Sequence, residues 1–101
     1  IHVRDVAHAN VIALTAEEPV VGAFNVATGN PHSVGEMGAA LVAAFGPSAP
    51  APEVTGRFRL GDVRHVFASA ELAAKVLGFQ AQVGFAEGMR EFARAPLRTR
   101  A

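Results

Sequence analysis

Apolar positions recur at helical spacing in four stretches of this chain and alternate in three others. Val6, Ala9, Ile12 and Ala13 keep one stripe after Asp5, whose carboxylate can accept from the free N–H groups at a helix start, and Pro19 stops that helix. Residues 22–28 then alternate, with Phe24 and Val26 on one face and Asn25 on the other, which predicts a short strand before the turn cluster Gly29-Asn30-Pro31. Ser33 followed three residues later by Glu36 is a capping-box pattern. Met37, Ala40, Leu41 and Ala44 continue that second helix until Gly46-Pro47.

Residues 48–53 hold Pro50 and Pro52 among small neighbours and read as a connector too short to join two domains. Two further strands are predicted at residues 54–60 and 63–68, separated by Gly61-Asp62. Ser69 is expected to cap a third helix running to Leu77, with Gly78 in the left-handed position after it and Phe79 folding back. A fourth helix spans residues 85–94 and ends before Pro96. Four helices with short strands describe an α/β chain of at most one domain, residues 1–101, with no internal repeat.

Composition narrows the chemistry. Half of the 101 residues are hydrophobic, but 21 are alanine and seven are phenylalanine, so the expected core is thin. The chain has no cysteine, which removes disulfides, thiolate nucleophiles and Cys-type zinc sites, and fits a reducing cytoplasm. Nine basic residues against nine acidic ones give no net field for nucleic acid or an anionic membrane. No apolar run approaches the roughly 20 residues of a bilayer span, and the chain reads as soluble. It opens at Ile1 directly in a patterned segment, which suggests a piece of something larger.

Candidate sites follow by elimination. Gly35 and Gly38 have the last spacing of a dinucleotide fingerprint but fall inside the second predicted helix, so dinucleotide phosphates have no cradle. Without tyrosine, and with Lys75 as the single lysine, the chain cannot form a phenol/ammonium pair for acid–base work on a sugar carbon. His2 and His8 diverge by about 120° on a helix and do not converge with Asp5 on one metal ion. His32 and His65 lack a completing ligand set and read as structural. Glu87 and Glu91 precede Arg90 and Arg94 by three residues, the mark of a solvated helix face. Arg94, Arg98 and Arg100 have no interleaved aromatic side chain for stacking on bases.

The stretch Arg57-Phe58-Arg59-Leu60-Gly61-Asp62-Val63-Arg64-His65 is different, because three guanidiniums lie within eight residues beside a glycine turn. Arginine offers a planar fork for two phosphate oxygens at once. Arg57 and Arg59 share a face of an extended strand, and a bend at Gly61 would return Arg64 toward them. Asp62 is placed to orient an arginine or to accept a ligand hydroxyl. Two readings stay open on chemistry alone: an anion site, or a charged, solvated pair of strands.

Here the sequence resembles the C-terminal part of extended short-chain dehydrogenases/reductases, the NAD-dependent nucleotide-sugar epimerases and dehydratases. Ile1-His2-Val3-Arg4-Asp5-Val6-Ala7, Phe24-Asn25-Val26-Ala27-Thr28-Gly29, Arg59-Leu60-Gly61-Asp62-Val63-Arg64-His65, Leu77-Gly78-Phe79 and Glu87-Gly88-Met89-Arg90 look like family segments in order and spacing. Ser33-Val34 opens the helix that follows the second of them, and the resemblance covers essentially the whole chain. Its form is closest to UDP-glucose 4-epimerase-like enzymes, which act at the sugar C4.

The resemblance implies a substrate-binding lobe of a Rossmann-type enzyme, with the dinucleotide-binding half absent. Arg59 and Arg64 would contact the phosphates of a nucleotide-diphosphate sugar, a UDP- or TDP-sugar. Asp62 would contact the ribose or orient those arginines, and Arg57 receives no role. NAD belongs to the parent family and would not be bound by this chain alone, which is expected to be inactive by itself. Two departures are Ser69 in place of an aspartate opening a helix, and Gly84 in place of a capping serine or threonine. Neither touches the expected site. A stand-alone nucleotide- or anion-binding module and an inactive remnant remain as alternatives. Loss of the neighbouring domain would leave apolar faces that promote self-association or a homo-oligomer.

Overall fold

The computed structural model of the chain describes residues 1–97, so Arg98 and Arg100 lie outside the described residues. Four helices follow one another: α1 (Val3–Leu14), α2 (Val34–Phe45), α3 (Glu71–Leu77) and α4 (Phe85–Arg94). They fall into two compact units. The first comprises Ile1–Pro31 and Gly56–Gly84, and the second comprises His32–Thr55 and, of the described residues, 85–97.

In the first unit α1 begins two residues before Asp5, because His2 is its N-cap and accepts from the Arg4 N–H through Nδ1 at 3.1 Å. Asp5 is therefore not the cap expected from the sequence. It points inward, only 3% exposed, and its two oxygens accept from the Gln82 and Val83 backbone N–H groups at 3.0 and 3.1 Å. Burial acts most strongly on this carboxyl and raises its pKa. The two backbone donors, with the charges of His2 and Arg4, outweigh that effect and hold it below the ordinary value of 3.8.

Beside this clamp α1 packs on α3. Ala9 and Ala73 are buried with Phe79, which is fully enclosed, and Ile12, Phe24, Val26, Leu77 and Ala81 pack around them. Gly78 takes the left-handed conformation at φ 67°, as the pattern predicts, and the Phe79 N–H turns back to donate to the Ala73 carbonyl at 3.3 Å. Burying a phenylalanine this fully stabilises by about 2–3 kcal/mol, so Phe79 anchors this unit. The third helix starts at Glu71 with Ala70 as N-cap, while the Ser69 hydroxyl accepts from the Glu71 N–H at 3.2 Å.

In the second unit the capping box is present as read from the sequence. Ser33 Oγ accepts from the Glu36 N–H at 3.1 Å, and the Glu36 carboxylate accepts from the Ser33 N–H at 2.6 Å, which holds the Glu36 carboxyl below its usual range. Here α2 packs on α4. Gly38 faces Pro52, whose ring would lie 3.2 Å from an added Cβ, so this glycine serves close packing within the unit. The His32 ring stacks on Phe85 with centroids 3.8 Å apart.

The three predicted strands are corrected by the structure: residues 22–28, 54–60 and 63–68 form no strand among the described residues, and the α/β expectation reduces to four helices. Alternation reports one-sided burial, not a pairing partner, and a strand requires a ladder. Phe24 and Val26 do turn toward the Phe79 core, which accounts for their alternation without a sheet. Residues 54–67 have no such explanation and stay exposed, with positive-φ glycines at 56 and 61 interrupting them.

Asp5→Ala leaves two backbone donors unmatched and is expected to destabilise the chain by about 2–3 kcal/mol in urea unfolding. Stability from the Asp5 carboxylate is fully present above its ordinary value of 3.8 and is lost as the pH falls through its lower folded-state value. Unfolding midpoints between pH 7 and pH 2 are expected to fall less steeply in Asp5→Asn than in the wild type, and parallel curves would refute the clamp.

Candidate functional site

The arginine-rich stretch forms a turn in the first unit. Leu60 and Gly61 occupy its corner, Gly61 at φ 90°, and the Asp62 N–H donates to the Arg59 carbonyl at 3.2 Å. A side chain at residue 61 would be strained at that φ, so glycine is required for the turn. The closure places the side chains three residues apart on one side. Arg59 Nε donates to Asp62 Oδ2 at 3.2 Å, and Arg59 Nη2 lies 3.2 Å from Asp62 Oδ1. Asp62 thus faces one whole edge of the guanidinium with both of its oxygens.

This ion pair is open to water, with the Arg59 side chain 87% exposed and that of Asp62 50% exposed. Its contribution to stability is about 0–1 kcal/mol. Its consequence is orientation: the planar group is held at one edge and presents the other. Arg64, two residues beyond Asp62, is exposed and takes no part in the fork. Arg57 is exposed at the approach to the turn. Of the three expected site residues, then, the turn joins Arg59 and Asp62 in a direct side-chain contact.

The remaining candidates separate clearly. Among the described residues no group of three His, Asp or Glu side chains is arranged to hold a metal ion. Gly35 and Gly38 lie within α2, Val34–Phe45, as the sequence pattern places them. Glu87, Arg90, Glu91 and Arg94 line an open hollow of about 540 Å³ with Ala95 and Pro96. Its walls carry both signs of charge and come from one helix and its end, an arrangement that selects no particular ligand. No helix among the described residues is long and apolar enough to cross a membrane.

One role escaped the sequence reading. Asp5 shares the spacing of Ala9 and Ile12, four and seven residues on, so it falls on the apolar stripe itself. A carboxylate on a buried face signals internal donors, and Gln82 and Val83 supply them.

The chain is similar to known proteins over most of its length. Over 91 residues, 90% of its length, the chain is 33% identical to a dTDP-L-rhamnose 4-epimerase of Burkholderia thailandensis, covering 24% of that protein. It is 38% identical over 95 residues to a UDP-glucose 4-epimerase of Cyamopsis tetragonoloba, and 39% identical over 95 residues to a bifunctional UDP-glucose and UDP-xylose 4-epimerase of Pisum sativum. These matches cover 26% and 27% of the two plant proteins and 90% of this chain in each case. The chain therefore spans about a quarter of the length of the curated relatives it matches. No protein-family model matches it. No solved structure matches it significantly.

Proposed function

We propose that this chain, a relative of the nucleotide-sugar 4-epimerases, contributes the diphosphate-binding part of such an enzyme, with Arg59 and Arg64 as contacts to the phosphates of a UDP- or dTDP-sugar. The observation that carries this reading is the Arg59–Asp62 fork at the Gly61 turn, which holds a guanidinium oriented and exposed. Similarity over nine-tenths of the chain to proteins named as UDP-glucose and dTDP-L-rhamnose 4-epimerases supports the choice of anion.

On this reading the chain is the C-terminal, substrate-binding lobe of a Rossmann-type enzyme. Epimerisation at the sugar C4 proceeds there by transient oxidation of the hydroxyl, with NAD held by other parts of the protein. The residues of this chain bind and orient the nucleotide-sugar, and none of them moves a proton or a hydride. Arginine suits the task because its charge persists at every physiological pH and its paired N–H groups match two phosphate oxygens.

Calorimetric titration with UDP-glucose and dTDP-rhamnose is expected to give measurable heat for the wild-type chain. Arg59→Ala is expected to weaken binding at least tenfold, on the scale of one lost charge-assisted pair. Absence of heat with both nucleotide-sugars would overturn the reading.

The same proposal carries a consequence for solution behaviour. Leu60 is 98% exposed and Phe58 83%, with Val63, Val66 and Phe67 also uncovered around the turn. Uncovered apolar side chains that cluster in one stretch favour association. Sedimentation of the chain alone is expected to show concentration-dependent self-association, and a monomer across the micromolar range would count against an apolar face that belongs under a neighbouring part of a larger protein.

A further inference from the structure

The segment after α1 has the form of a strand whose ladder this chain does not complete. Phe24 and Val26 pack on the Phe79 cluster, while Ala23 and Asn25 are exposed. That two-residue period is the geometry of an extended chain. Yet among the described residues none of the main-chain N–H and C=O groups of residues 20–27 takes part in a hydrogen bond. An extended edge with its donors and acceptors unmade is a template for a further strand.

The groups left unmade are main-chain donors and acceptors in alternation, and an extended backbone is what matches them. The side chains say which backbone. Val20-Val21-Gly22-Ala23-Phe24-Asn25-Val26-Ala27 carries no charge and no proline, so its own copy meets it without repulsion. Pro19 and Pro31, which lack a donor, bound this stretch. Residues 54–67 are unlike it: they carry Arg57, Arg59, Asp62 and Arg64 and are exposed on both faces. A copy of that stretch would set guanidiniums against each other, and no buried face would fix its register.

We propose that residues 23–27 pair antiparallel with the same residues of a second copy of this chain, about a two-fold axis at Asn25. In that register Phe24 of each copy lies opposite Val26 of the other, an aromatic against a β-branched side chain, on the face that carries the core. Asn25 meets Asn25 of the other copy on the open face, where two amides exchange hydrogen bonds. The contact is isologous and closes at a dimer. It involves neither the Arg59 turn nor the diphosphate reading.

Sedimentation of charge variants of the full chain tests the register. The wild type is expected to form a dimer. Asn25→Lys and Asn25→Asp, both at an exposed position, are each expected to weaken it about tenfold or more, since like charges meet at the axis. An equimolar mixture of the two variants is expected to dimerise at least as tightly as the wild type, because opposite charges then meet, and that recovery shows both variants folded. Leu60→Ser, in the separate apolar stretch, is expected to leave the dimer in place. Amide exchange by NMR reads the backbone: alternate N–H groups between residues 23 and 27 are expected to exchange slowly only at concentrations where the dimer forms. A monomeric wild type overturns the proposal, as does an Asn25→Lys variant that dimerises like the wild type, a mixture that stays monomeric, or a dimer with unprotected amides at 23–27. A dimer lost in Leu60→Ser and kept in Asn25→Lys places the interface elsewhere and overturns it equally.

Discussion

The Asp5 carboxylate reaches the Gln82 and Val83 backbone across 77 and 78 residues of chain, and the first unit depends on this connection. Closing a loop of that length costs roughly 4 kcal/mol in chain entropy, beyond a constant, by the logarithmic rule. Two hydrogen bonds to a charged acceptor return about 3–6 kcal/mol, less the cost of desolvating the buried carboxylate, and burial of Phe79 adds about 2–3 kcal/mol. Clamp and anchor lie within a few residues of each other in the same returning segment, so each makes the other's loop closure already complete. The low pKa direction of Asp5 is the electrostatic expression of this arrangement: burial alone would push the carboxyl up, and only donors fixed by the fold reverse it.

The second unit is held by different means. Its helices pack together with Ala40, Leu41, Val42, Ala44, Met89 and Ala93 partly buried, a glycine against Pro52, and the His32–Phe85 stack, and among the described residues no large side chain of this unit is fully enclosed. Local devices carry more of the specification there, above all the reciprocal Ser33–Glu36 box. The Arg59 turn in the first unit is also locally specified. A positive φ at Gly61, one backbone hydrogen bond and one ion pair over three residues define it without reference to Phe79. A turn built this way keeps its geometry even where the surrounding apolar side chains are uncovered.

Features written in short range were legible before any coordinates. The capping box, the left-handed Gly78, the return of Phe79 and the span of α4 each depend on residues within a few positions of one another. The turn at Gly61 belongs to the same class, and Asp62 as an arginine orienter was one of two roles its chemistry allowed. The strands were not legible in the same way. Phe24 and Val26 alternate because one face meets the Phe79 cluster, and alternation carries no information about a ladder partner. Asp5 was assigned to the nearest helix start because sequence reasoning looks for partners close by, whereas its donors sit at the far end of the unit. The stripe it shares with Ala9 and Ile12 held the clue that its partner was internal.

Under the proposed diphosphate reading, the fork at Arg59 serves recognition while contributing little to stability. An arginine side chain has about 2 kcal/mol of rotamer entropy to lose when it is immobilised. If a ligand alone imposed that order, the loss would be subtracted from affinity. The carboxylate of Asp62 restricts the side chain beforehand, at the modest strength that solvent allows. A deeply buried pair would fix it more firmly, but burial would also withdraw the guanidinium from solvent and impose the desolvation cost of two charges. Half-exposed Asp62 behind an almost fully exposed Arg59 is the compromise between these limits: enough restraint to select an edge, and enough water to leave that edge accessible.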